Sequence, residues 1–270
     1  MPNNFTISVI IKTYNWPEAL SIVLKSLNVQ KTNIKFEVII ADDGSTQSTE
    51  DLIQNFRPNL KYELKYLWQE DKGFQASKIL NKAIKESSGD YCVFVDGDCI
   101  CPPNFIEKHA RLADRNYFVA GSRILISEQY TKETLNTKIE PNYFYGSNLI
   151  KLRMQKHCNK ISNLMPLPLA GLRKIFPNKW KNAKGCNLGI WKDDLIKIKG
   201  FDEKYQGWGH EDSDLIIRLI NSGIKRKSGK FTATVIHLGH PILDRSNQKQ
   251  NFERLMETLN NKKIHSDIGI

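Results

Sequence analysis

The sequence predicts an α/β protein with a mostly parallel central sheet flanked by helices. Two observations carry that prediction. Within the first hundred or so residues, apolar strand-like runs alternate four times with segments of helical periodicity, the pattern of a parallel sheet with right-handed crossovers. The fourth run, YCVFVD at 91 to 96, then stops abruptly at Asp96-Gly97-Asp98, as a buried strand does when it delivers acidic groups to the edge of a sheet.

The first unit is TISVIIK at 6 to 12, the turn Thr13-Tyr14-Asn15, and a helix opened by Pro17 whose Ala19, Leu20, Val23, Leu24 and Leu27 share one face. The second is FEVIIA at 36 to 41, the turn Asp42-Asp43-Gly44-Ser45-Thr46, and a helix bearing Leu52, Ile53 and Phe56. The third is a strand from Leu64 to Trp68, then Asp71-Lys72-Gly73-Phe74-Gln75 leading into a helix with Ala76, Leu80, Ala83 and Ile84. After the acidic pair, Pro102-Pro103-Asn104 starts another helix, and Tyr117 to Ile126 reads as one further strand. Between Ser127 and Lys184 the periodicity weakens around Pro166, Pro168 and Pro177. Basic residues from Lys151 to Lys184 alternate there with Leu, Phe176 and Trp180, a mixture that suits an anionic membrane or an acidic acceptor. A solvated basic face over a helical pair is the simpler reading. Pattern returns at Gly185 to Trp191, followed by Gly207-Trp208-Gly209-His210-Glu211-Asp212, a helix through Leu215, Ile216, Leu219 and Ile220, and a strand from Thr232 to Ile236 that runs into His237-Leu238-Gly239-His240. The tail from Ser246 is polar and helical.

The turn after the first strand has no glycine, so a dinucleotide fingerprint is absent, and no Walker lysine motif occurs. A nucleotide's phosphates would therefore be held by metal or basic side chains. Two carboxylates one residue apart suit Mg²⁺ or Mn²⁺, which take few protein oxygens when phosphates supply the rest. A strand ending in an ordinary Asp-Gly turn is the alternative. Five cysteines, an odd number scattered through the chain, point to reduced thiols, and Cys99-Ile100-Cys101 is too tight for a zinc knuckle. The net charge of +11 favours anionic partners, although without zinc-finger spacing, an aromatic RNA-binding signature or heptads nucleic acid is not expected among them. No stretch resembles a secretion signal or a membrane span, so the expected location is cytoplasmic, at most peripheral on the inner face of the plasma membrane.

Taken together, SVIIKTYN, EVIIADDGS, the helix after DKGF and VFVDGDC resemble the successive nucleotide-binding elements of family 2 inverting glycosyltransferases of the GT-A type, whose sheet is Rossmann-like. The Gly-Trp-Gly segment followed by Glu-Asp is similar to the β-1,4-galactosyltransferase-like region. The resemblance covers residues 5 to 126 and 183 to 241. It implies one domain over 1–245, with a nucleotide-binding half to 126, a variable basic insertion over 127–182 and an acceptor half from 183; residues 246–270 form a tail.

By that resemblance Thr13, Tyr14, Asp42, Asp43, Lys78, Asp96 and Gly97 bind the donor, with Tyr14 able to stack on a base and an aspartate able to accept from uracil or ribose. Asp98, His237 and His240 match metal ligands, and imidazole suits Mn²⁺ better than Mg²⁺. Asp212 matches the catalytic base, while Asn187, Gly207, Trp208, Gly209 and Glu211 match sugar or acceptor contacts. His210 stands where the galactosyltransferase pattern often has glycine, so sugar identity is not implied. The expected activity is metal-dependent transfer of a hexose or N-acetylhexosamine from a UDP-sugar to a surface glycan or glycolipid, of lipopolysaccharide-core or capsule type. The rival readings are a non-catalytic nucleotide-sugar-binding module and a basic membrane or nucleic-acid adaptor.

Overall fold

The computed structural model describes residues 5–137, 140–162, 167, 169–241 and 244–270. Pro166 and Pro168 of the insertion lie outside the described residues. The first four strands are β1 (Ile7–Thr13), β2 (Phe36–Asp42), β3 (Glu63–Trp68) and β4 (Tyr91–Asp96), separated by α1 (Pro17–Asn28), α2 (Gln47–Phe56) and α3 (Ala76–Glu86), as the alternation predicts. They form one parallel block in the order β3-β2-β1-β4. Chain order reverses between β1 and β4, and the crevice at the carboxyl ends of such a pair is where an open α/β sheet binds ligands.

The strands β1, β2 and β4 are buried on both faces, which is why they read as largely apolar runs, while β3 lies at the sheet edge. Ile7, Val9 and Ile11 of β1 pack with Val38, Ile40, Val93 and Val95 toward α1, α2 and α4 (Phe105–Leu112). Ile10, Ile39, Cys92 and Phe94 pack on the opposite side against α3, α7 (Lys192–Lys197) and α8 (Glu211–Asn221). Burying each such side chain stabilises the fold by about 1.5–3 kcal/mol.

Six further strands among the described residues depart from the simple alternation. The expected strand over 117 to 126 is two: β6 (Tyr117–Ala120) stays in the large sheet, and β7 (Ser122–Leu125) enters a three-stranded sheet. The break falls at Gly121, whose missing side chain leaves room for the Asn187 amide lying against it. The strand β8 (Asn187–Trp191) inserts antiparallel between β4 and β6, and β9 (Lys225–Ser228) adds a basic edge with no apolar signal in its sequence. The small sheet has the order β5-β10-β7, where β5 is Cys99–Ile100 and β10 is Thr234–His237, starting two residues later than expected after a turn at Gly229.

In the insertion, α5 (Glu128–Asn136) and α6 (Ser147–Met154) belong to the fold: Phe144, Leu149 and Leu152 share a core with Ile124, Ile126 and Ile236 of the small sheet. The tail helix α9 (Gln248–Asn260) likewise packs into the molecule, as Thr258 Oγ1 donates to Asp214 Oδ1 at 2.7 Å in a buried contact. Asp214 also accepts from Arg218 Nε at 2.7 Å, and Arg218 Nη1 donates to the carbonyls of Ile198 and Gly200. Both side chains are 1% exposed. This ion pair fixes α8, and with it the acids at its first turn. Replacing Arg218 by Ala should cost about 3–5 kcal/mol in denaturant unfolding, because it strands a buried carboxylate. Joint replacement by Arg218→Met and Asp214→Leu should cost less than the single change.

Candidate active site

The site begins with a register. Lys12 and Asp96 are cross-strand neighbours on β1 and β4, at the point where the two strands end. The Lys12 ammonium lies 3.4 Å from Asp96 Oδ1 and 3.9 Å from Glu211 Oε1, and 5.7 Å above the Phe74 ring. Burial opposes its charge, yet Asp96, Glu211 and Asp212 hold its pKa well above the ordinary lysine value. Gly97 donates its N–H to the Lys12 carbonyl at 2.7 Å and rests on Thr13, where a side chain would collide. Thr13 itself is buried.

At the end of β2, Asp43 accepts from the Gln75 N–H at 2.9 Å and from Gln69 Nε2, and burial pushes its carboxyl up to about 6. Asp42, expected to meet the donor, is instead fully buried; its oxygens accept from the Ser45 N–H and the Tyr66 hydroxyl and hold the turn. Tyr14 is exposed, and its hydroxyl donates to Asp71 Oδ2 at 2.9 Å, tying two rims of the crevice together. Lys78 is exposed in the first turn of α3, at the same end of the sheet.

Asp98 is drawn toward the small sheet. There β10 pairs with β5 so that His237 lies opposite Cys99, and the Leu238 N–H donates to the Asp98 carbonyl at 3.0 Å. His237 Nε2 is 3.6 Å from Asp98 Oδ1, and His240 Nε2 is 3.6 Å from Asp98 Oδ2. Each ring is turned by its other nitrogen, since Nδ1 of His237 bonds the Leu238 carbonyl and Nδ1 of His240 bonds the Pro241 carbonyl. Backbone anchoring of one ring nitrogen leaves the other presented as a ligand. Trp16 packs its ring edgewise on His240. Burial, assisted by Asp96, raises the Asp98 carboxyl despite the histidines. Carboxylate and imidazole donors at this spacing fit a divalent ion of the Mn²⁺ type.

The opposite wall is the first turn of α8. Gly207, Gly209 and His210 all have positive φ, a sharp loop that glycine makes easily and that swings Glu211 and Asp212 inward. Asp212 is half-buried, accepting from the Gly185 N–H at 2.9 Å and from the Ser213 hydroxyl. Glu211 is pushed up to about 7 by burial, with Asp212 and Asp96 repelling it and Lys12 the main attraction against that rise. Trp208 is half-buried with the Arg245 guanidinium 4.7 Å over its ring. Asn187, expected as an acceptor contact, is not in the crevice. Its oxygen pairs with His109 Nε2, and its amide donates to the Ser122 and Ala233 carbonyls, so it joins the two sheets.

Sequence reasoning passed over three neighbours. Lys12 looks like one polar residue in an apolar strand, and only strand register puts it beside Asp96. Arg123 on β7 donates to Cys186 Sγ at 3.6 Å; burial opposes its charge, while Cys186, Cys99 and Asp96 hold it up. Cys99 lies with Asp98 and His237 in one potential donor cluster. All five cysteines are free thiols.

A GT-A sheet whose crevice is ringed by acids and backed by two histidines defines a glycosyltransferase, and the comparisons with known proteins agree. Residues 8–176 match the glycosyl transferase family 2 model, so the chain belongs to that family. Residues 171–241 match the model described as the N-terminal domain of galactosyltransferase. The chain is 27% identical to a chondroitin synthase of Pasteurella multocida over 82% of its own length and 23% of the synthase. It is 26% identical to a validoxylamine A glucosyltransferase of Streptomyces hygroscopicus, over 81% of this chain and 52% of the relative. It thus spans only part of the length of these relatives. Among solved structures, S. aureus TarS 1–349 with UDP-GlcNAc superposes at a TM-score of 0.67, with 18% identity over 97% of this chain and 68% of that one. The Pyrobaculum calidifontis mannosyltransferase with GDP-Man and Mn²⁺ superposes at 0.61, with 15% identity over 96% and 69%. Among the described residues, no helix is long and apolar enough to cross a membrane.

The charge arrangement gives a direct expectation. Glu211 should titrate near neutral pH in carboxyl-carbon NMR, and Lys12→Met should move it higher, because the cation that favours its ionised form is gone. Lys12→Arg should leave it close to its starting value. An unmoved Glu211 in Lys12→Met would refute the coupling.

Proposed function

We propose that this glycosyltransferase moves a hexose or N-acetylhexosamine from a UDP-sugar to a glycan or glycolipid acceptor, inverting the anomeric centre. The observation that carries this reading is the spanning position of Lys12, which links the acid of the donor strand to the acids opening α8. Donor chemistry and proton removal would then share one crevice. Relatives named as chondroitin and hyaluronan synthases support a surface polysaccharide acceptor, of capsule or lipopolysaccharide-core type. The UDP-GlcNAc held by TarS supports a uridine donor.

In this reading Tyr14 stacks on the base, Asp43 and Thr13 face the nucleoside, and Gly97 lets the donor lie close to the strand ends. Asp96 contacts ribose, and Lys78 approaches the diphosphate from the rim. Asp98, His237 and His240 would hold Mn²⁺ or Mg²⁺, which when bound offsets negative charge on the departing nucleoside diphosphate. Trp208 gives the sugar a flat apolar face between Gly207 and Gly209, and Glu211 binds acceptor hydroxyls. Asp212 takes the proton from the attacking hydroxyl. A sugar hydroxyl is a weak nucleophile at neutral pH, and a carboxylate already oriented by the Gly185 N–H lowers that barrier as attack develops.

Asp212→Asn should lower kcat by about 10²- to 10⁴-fold while leaving UDP-sugar binding intact. Turnover at the parent rate would remove Asp212 from the role of base. For the donor end, Asp98→Asn and His237→Ala should each abolish the extra thermal stabilisation that Mn²⁺ adds to UDP. Full activity in excess chelator would rule out the metal.

A further inference from the structure

The segment from Leu169 to Lys181 forms an apolar projection. Its backbone is clamped to the sheet edge β9 by two buried arginines. Arg173 donates to the carbonyls of Ser228, Lys230 and Leu167 and to the Thr232 hydroxyl, and Arg226 donates to the carbonyl of Lys179 while its own N–H bonds that of Pro177. Both arginines are 8% exposed. The short helical turn over Ala170–Lys174 continues through an Ile175 N–H to Leu172 carbonyl bond, so residues 172, 175 and 176 share one face. That face is bare: Leu172 is 62%, Ile175 55% and Phe176 66% exposed. A chain pinned at this many points cannot fold these side chains inward.

The surroundings are cationic. Between Glu140 and Asp193 the sequence has ten lysines and arginines and no acid. Lys179 lies 5.4 Å from the Phe176 ring and Lys181 5.5 Å from that of Trp180, so the ammonium groups border the apolar residues. Three exposed apolar side chains edged by lysines match a surface that is apolar a few ångströms down and anionic at its face. An acidic polysaccharide would satisfy the lysines yet leave Leu172, Ile175 and Phe176 in water.

We propose that this projection docks the enzyme on an anionic lipid bilayer, with Leu172, Ile175 and Phe176 entering the headgroup boundary and Lys179 and Lys181 meeting acidic headgroups. The docking is independent of the donor chemistry proposed above. The test is sedimentation of the full chain with vesicles of phosphatidylcholine alone and of phosphatidylcholine with phosphatidylglycerol. The parent protein should partition onto the anionic vesicles and only weakly onto the neutral ones. Leu172→Ser, Ile175→Ser and Phe176→Ser together should weaken partitioning at least about tenfold, and Lys179→Ala with Lys181→Ala about fivefold per lysine. Circular dichroism should show all variants folded, and UDP-sugar binding, followed in parallel, should be unchanged in them. Parent-like partitioning of the folded triple variant would overturn the proposal. So would retention on an immobilised acidic polysaccharide with no partitioning onto anionic vesicles. A chain that docks without binding UDP-sugar would sink the donor reading and leave this one standing.

Discussion

Three carboxylates converge on one crevice of this protein, and it is the ammonium of Lys12 that lets them coexist. Asp96, Glu211 and Asp212 all act on it electrostatically, and it contacts the first two directly. Its placement follows from backbone geometry, because the parallel register of β1 against β4 puts residue 12 beside residue 96. A buried ion pair adds little net stability, since desolvation offsets most of the attraction. What it contributes here is alignment: the strand-end acid and the first turn of α8 are held at one distance from each other, across the gap where a sugar would lie.

The molecule divides its labour between two sheets. The large sheet supplies the crevice and the Lys12–Asp96 pair, while the small sheet exists where β5, β10 and β7 meet and turns two histidines toward Asp98. Asn187, on β8 of the large sheet, joins them through the Ser122 and Ala233 carbonyls, while His109 of α4 holds its oxygen. This polar residue thus serves as a buried joint, 2% exposed.

The parallel half of the fold was legible because strands covered on both faces must be largely apolar, as Val9 to Ile11 and Val93 to Val95 are. The edge strand β9 was not, because KRKS carries no apolar alternation and is held by side-chain contacts from elsewhere in the chain. The break at Gly121 was hidden for a related reason: the residue that requires it, Asn187, lies far along the sequence. In the candidate site, the acids at strand ends and after the Gly-Trp-Gly-His loop stood out by type and position, whereas Lys12 did not. Nor did hydrogen-bond partners, and they separate Asp42, bonded to Ser45 and Tyr66 within the turn, from Asp43, bonded to Gln69 and Gln75 beyond it.

Asp98 and its two histidines come from distant parts of the chain, and β10 pairs with β5 on one side and β7 on the other. During synthesis the parallel half of the large sheet therefore emerges long before the two imidazoles. Closure of the small sheet is what brings the two imidazoles to Asp98, so a chain stalled before β10 would carry the crevice without its histidines.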